Sequence, residues 1–101
     1  MRDLPSQLDL VLDALRDKRD TTRDQYGVDI LGVFGSIARG DDHLHSDVDV
    51  LIRSSDRTDM FDLGALWSEL ADALNRRVDL VDRAGLRPEV LAVVERELAP
   101  L

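Results

Sequence analysis

Cysteine is absent from the 101 residues, which excludes disulfides and thiolate metal sites and leaves the cytosol as the default compartment. Long apolar runs are absent too. The longest, Val90 to Val94, falls far short of the roughly 18 residues of a membrane span. Met1-Arg2-Asp3 leads into no apolar stretch, so no secretory signal is expected. Internal repeats, low-complexity tracts and linker-like Gly/Ser/Pro segments are likewise missing. Positive charge is scarce: 13 basic residues stand against 21 acidic ones, a net of −8, and Lys18 is the only lysine. A direct nucleic-acid binder needs a basic stripe to displace counterions, and this balance argues against one. A basic protein partner is easier to accept. A cluster of carboxylates is tolerable where metal ions neutralise it.

Apolar residues at 44% and charged residues at 34% fit one small globular domain, expected over residues 1–101. Leu8, Val11, Leu12 and Leu15 recur at helical spacing and predict a helix from residue 6 to about 25. Ser6 and Asp9 resemble a capping box at its start, and Gly27 is a plausible stop. Val28 to Phe34 reads as a buried strand that ends at Gly35-Ser36, with a short helical turn, Ile37 to Gly40, after it. Ser46 to Arg53 alternates strictly, with Asp47, Asp49 and Leu51 on one face and Val48, Val50 and Ile52 on the other, as in a strand with one face buried. Asp59 can cap a helix whose apolar face carries Met60, Leu63, Trp67, Leu70, Ala71 and Leu74. Arg76 to Val81 is a further short strand. Pro88 opens a last helix that buries Leu91, Val94 and Leu98, and Pro100 stops it. Strands interleaved with helices point to an α/β sandwich around a small sheet.

Asp47 and Asp49 sit two apart in a predicted strand, so both carboxylates share a face. Two such charges repel, and fold stability does not ask for them. A hard divalent cation removes the repulsion, and Mg²⁺ commonly binds through a few carboxylates plus substrate phosphates. Asp79, on a second strand, can point into the same space. Three carboxylates suffice for two metals that clamp the attacking and leaving oxygens of a phosphoryl or nucleotidyl displacement. Just upstream, Gly35 allows close approach of a ligand to the backbone. The following amides and the Ser36 hydroxyl can then hold phosphate oxygens.

Gly35-Ser36-Ile37-Ala38-Arg39-Gly40, five residues, then Ser46-Asp47-Val48-Asp49-Val50-Leu51 resembles the signature of the polymerase-β-like nucleotidyltransferases. The chain looks most like the minimal nucleotidyltransferases, the MNT-type antitoxins encoded beside HEPN-domain toxins. Arg77 to Val81, then Gly85 to Glu89 and a C-terminal helix, is also similar to that subgroup. The resemblance covers about residues 28 to 101. It implies the nucleotidyltransferase fold, a small mixed sheet with helices packed on it, in the α/β (α+β) class. It implies that Asp47 and Asp49 bind two Mg²⁺ ions, and that Asp79 completes the site and orients or helps deprotonate the attacking hydroxyl. Gly35 and Ser36 would hold the nucleotide, with Arg39 and Ser46 beside them. ATP is the implied donor and pyrophosphate the leaving group. A tyrosine hydroxyl of a partner HEPN toxin is the implied acceptor, silenced by AMPylation.

Several residues carry a plainer reading as well. Arg39 either contacts phosphate or pairs with a nearby Asp. Ser46 caps the loop or supports Asp47. His43 and His45 share a metal-like spacing, but a solvated loop is the better reading. Trp67 is expected in the core. Asp29, Asp41, Asp42 and Asp82 read as solvated charges, and Arg76 and Arg77 as surface residues. Two other functions compete with protein adenylylation. One is an antitoxin that works by occluding its partner without catalysis. The other is nucleotidyl transfer to a small molecule such as an aminoglycoside, for which a dimer would have to supply the missing wall. Exposed apolar residues near Leu98 and Leu101 could serve an interface, such as that of a homo-oligomer within the toxin complex.

Overall fold

A computed structural model describes residues 6–41 and 46–101. The first helix, α1 (Gln7–Tyr26), opens on the expected capping box. The Asp9 N–H donates to Ser6 Oγ at 3.0 Å and the Ser6 N–H to the Asp9 carboxylate at 3.4 Å. Two backbone donors that the helix cannot satisfy itself are thereby paired. Gly27 ends the helix in the left-handed conformation. Strand β1 (Asp29–Phe34), the one-turn helix α2 (Ser36–Arg39) and strand β2 (Val48–Arg53) follow. Helix α3 (Met60–Leu74), again with a capping box, from Asp59 to Asp62, leads to β3 (Val78–Asp82). A 3-10 turn, Arg83–Gly85, precedes α4 (Pro88–Glu97) and a two-residue strand β4 (Ala99–Pro100).

The sheet order is β3-β2-β1-β4. β1 pairs antiparallel with β2 and with β4, while β2 and β3 run parallel. A parallel pair needs a crossover, and α3 provides it. The sheet is mixed, as the family resemblance implies. Val11, Leu12 and Leu15 of α1 pack with Val33, Val48, Val50, Ile52, Leu66 and Leu70 into the main core.

The structure corrects the expected pattern in three places. Leu51 is buried although it alternates with Val50 and Ile52, so β2 has apolar cover on both sides. The buried positions of α3 are Leu66 and Leu70, flanked by Leu63, Ala71 and Leu74. Met60 stays 86% exposed and Trp67 49% exposed, so neither belongs to the core. Trp67 lies at the edge of the apolar face, where its indole N–H donates to the Val78 carbonyl at 2.7 Å. Pro100 does more than stop α4. Ala99 and Pro100 pair with Val33 and Gly32, and the Leu101 N–H reaches the Leu31 carbonyl at 3.3 Å. Leu98 and Leu101, expected near a free surface, are only partly exposed. None of the described helices is long and apolar enough to cross a membrane.

Candidate active site

The register of the sheet brings the sequence-predicted residues to one end of it. Asp49 in β2 stands opposite Phe34 of β1 on one side and opposite Asp79 of β3 on the other. The chain leaves β1 through Gly35 at φ 77° and ψ −152°, a conformation essentially closed to residues with a side chain. A Cβ at Gly35 would overlap Asp49 Oδ2, so the carboxylate rests against the glycine backbone. Ser36 then opens α2. The first N–H groups of a helix lack intrahelical partners, so donors are presented beside the Asp49 carboxylate.

Asp49 is half-buried and its pKa is raised. Burial is the largest cause, followed by the negative charges of Asp79 and Asp47; Arg39 opposes the shift and Glu97 adds to it. Asp47 lies just before β2, exposed, and its Oδ1 accepts from Arg77 Nε at 3.1 Å. Asp79 is exposed on the edge strand. Among the described residues, no three acidic or histidine side chains are gathered tightly enough to hold a metal ion as they stand. The donor chemistry nevertheless fits a hard divalent cation: all three groups are carboxylates, and Asp49 carries repulsion that a cation would relieve.

Arg39 pairs with two acids. Its Nε donates to Asp41 at 3.2 Å, and its Nη1 donates to both oxygens of Glu97, at 3.2 and 3.3 Å. The Ser46 carbonyl accepts from Arg76 Nη2 at 2.9 Å, and Arg76 Nη1 donates to Gln7 Oε1 at 3.0 Å. Arg76 thus ties α1 to the segment entering β2. Arg77, read from sequence as a surface residue, is exposed but engages a candidate metal ligand. The residues read as solvated charges are partnered as well. Asp29 accepts from Arg23 and Arg53, Asp41 from Arg39, and Asp82 from Ser54 and the Ala84 N–H. Asp42, His43 and His45 lie outside the described residues. Sequence reasoning missed Glu97 altogether. It is 58 positions from Arg39, and no local pattern signals the contact.

Comparisons with known proteins show the family and the fold. The polymerase beta nucleotidyltransferase family matches residues 18–96. The chain is 36% identical over 76 residues to protein adenylyltransferase MntA of Thermococcus cleftensis, covering 75% of this chain and 77% of the relative. A solved minimal nucleotidyltransferase superposes with a TM-score of 0.73 at 34% identity, over 89% of this chain and 95% of that one. A solved toxin–antitoxin structure with AMP-PNP gives a TM-score of 0.56 at 29% identity, over 79% of this chain and 60% of that one. The chain therefore belongs to the polymerase beta nucleotidyltransferase family and is an enzyme of nucleotidyl transfer.

Proposed function

We propose that the protein transfers AMP from ATP to a tyrosine hydroxyl of a HEPN-family toxin and thereby acts as its antitoxin, with Asp47, Asp49 and Asp79 as the metal-binding and catalytic acids. The observation that carries this reading is the seat of Asp49: a repelled carboxylate held against Gly35, in register with Asp79 and next to the Gly-Ser turn. Relatives named protein adenylyltransferase support a protein acceptor, and the AMP-PNP complex of a structural neighbour supports an adenine nucleotide.

Two Mg²⁺ ions held by the three carboxylates would neutralise the triphosphate and align the attacking and leaving oxygens. The rest falls to the chain. The Ser36 hydroxyl and the amides of the α2 turn hold phosphate oxygens, with Arg39 at the rim and Ser46 supporting the entry to β2. Asp79 orients the acceptor hydroxyl and takes its proton. A bond forms from that oxygen to the α-phosphorus as the bond to the β-phosphate side breaks, and pyrophosphate leaves with the electron pair. ATP and Mg²⁺ are cytoplasmic reagents, so the reading places the protein in the cytoplasm. Neither a nucleic-acid template nor a membrane enters it.

The test is to incubate the protein with Mg²⁺, labelled ATP and a cognate HEPN-family toxin. The toxin should acquire the label, and Asp47→Asn should abolish it. Label that persists in the variant overturns the role of the acids. Rescue of toxin-expressing cells by an Asp47→Asn/Asp49→Asn double variant would instead show that neutralisation works by occlusion.

A further inference from the structure

Arg39 lies one helical turn after Gly35, its N–H donating to the Gly35 carbonyl at 3.0 Å, and the Asp49 carboxylate rests against that same glycine. A guanidinium near a half-buried carboxylate gains most by pairing with it directly. Such a pair would occupy the oxygen lone pairs that a cation needs. The structure shows a different arrangement. Nε is engaged by Asp41 and Nη1 by both oxygens of Glu97, the last residue of α4, and no hydrogen bond runs from Arg39 to Asp49 among the described residues. The Glu97 side chain is 32% exposed, against 62% for Asp41, so it is the better sheltered of the two anchors.

We infer that Glu97 is a positioning residue: by holding the Arg39 guanidinium at the rim it keeps Asp49 open to a divalent cation. The inference rests on the reading of Asp47, Asp49 and Asp79 as the cation's ligands. It assigns a role to the chain's last helix, which carries none of the signature residues. Without Glu97, Arg39 keeps only the more exposed Asp41 and can swing onto Asp49, where it competes with the metal as an internal counter-ion. Glu97 also has a direct electrostatic effect, since its own charge attracts a cation. That effect persists when Arg39 is gone, whereas the positioning effect does not.

The experiment is a double-mutant cycle read by Mn²⁺ binding to the full-length purified protein without nucleotide, by calorimetry or by the loss of free Mn²⁺ signal in electron paramagnetic resonance. Glu97→Gln should weaken Mn²⁺ binding about tenfold. In the Arg39→Gln background the same substitution should change it by no more than about twofold, because nothing remains to be positioned. Equal weakening in both backgrounds would overturn the inference in favour of a plain charge effect, and no weakening in either would overturn it outright. Should Glu97→Gln melt below the assay temperature, Glu97→Asp replaces it under the same two expectations, since it keeps the charge and shortens the reach. A wild-type protein that binds no Mn²⁺ defeats the underlying assignment of the three acids, and does so before any variant is compared.

Discussion

At Gly35 a single substitution changes both stability and chemistry. Alanine there must adopt a backbone conformation that costs about 1–3 kcal/mol, and its methyl group must displace the Asp49 carboxylate. Gly35→Ala should therefore lower unfolding stability by that amount in urea melts and reduce adenylyl transfer at least about a hundredfold. Asp49 carries the opposite stability sign. Its folded pKa lies above the ordinary 3.8, so through that window the folded state retains a proton that the unfolded chain has lost. Stability then falls as pH rises through the window, and the deficit persists at neutral pH. Asp49→Asn should raise the melting temperature of the metal-free protein at pH 7 and narrow its advantage near pH 3, while abolishing transfer. A melting temperature that drops at pH 7 would contradict the repulsion. Asp47 with Asp49, and Gly35 with Ser36, were legible as pairs because strand alternation and a turn each act on neighbours in the chain. Arg77 and Glu97 were not, because their partners lie 30 and 58 positions away.

Between elements, one carboxylate ties three segments. Asp29 at the start of β1 accepts from Arg23 of α1 at 2.7 Å and from Arg53 at the end of β2 at 2.8 Å. Its pKa is lowered, first by the hydrogen bond from Arg53 and then by that from Arg23. A depressed carboxylate contributes stability that is complete above its unfolded value and is lost as pH falls through the folded one. Asp29→Asn should cost about 1 kcal/mol at pH 7, less in high salt, and the difference from wild type should vanish once the pH falls well below 3.8. Urea melts at neutral and acid pH check this. The elements themselves were mostly readable, because capping boxes, a C-terminal glycine and apolar periodicity are local signals. Two features escaped for physical reasons. β4 is two residues long and exists only through its pairing with β1. Trp67 has the hydrophobicity of a core residue, but it sits at the margin of its helix face and satisfies its indole N–H on β3 instead.

Across the whole molecule, a net charge of −8 means that any cation stabilises the fold somewhat by relieving self-repulsion. Specific binding has to be separated from that background. A ligand that binds only the folded state adds RT ln(1 + [L]/Kd), about 2.7 kcal/mol at a hundred times Kd. For a domain of this length each kcal/mol moves the melting temperature by roughly 4–8 °C. Mg²⁺-ATP at saturation should thus raise the midpoint by on the order of ten degrees or more, whereas NaCl matched for ionic strength should give only the small screening increment. Asp49→Asn separates the two effects most sharply. It keeps nearly the same global charge, so the salt increment survives, but it loses the seat between Gly35 and Asp79, so the Mg²⁺-ATP increment should disappear. If the variant and the wild type respond alike to Mg²⁺-ATP, the stabilisation is diffuse and Asp49 does not anchor the site. If the large shift is confined to the wild type, the acidic excess is organised around one end of the sheet. The sequence alone could suggest that organisation through its Asp-x-Asp spacing, but the meeting of β1, β2 and β3 at Asp49 depends on strand pairing between distant segments.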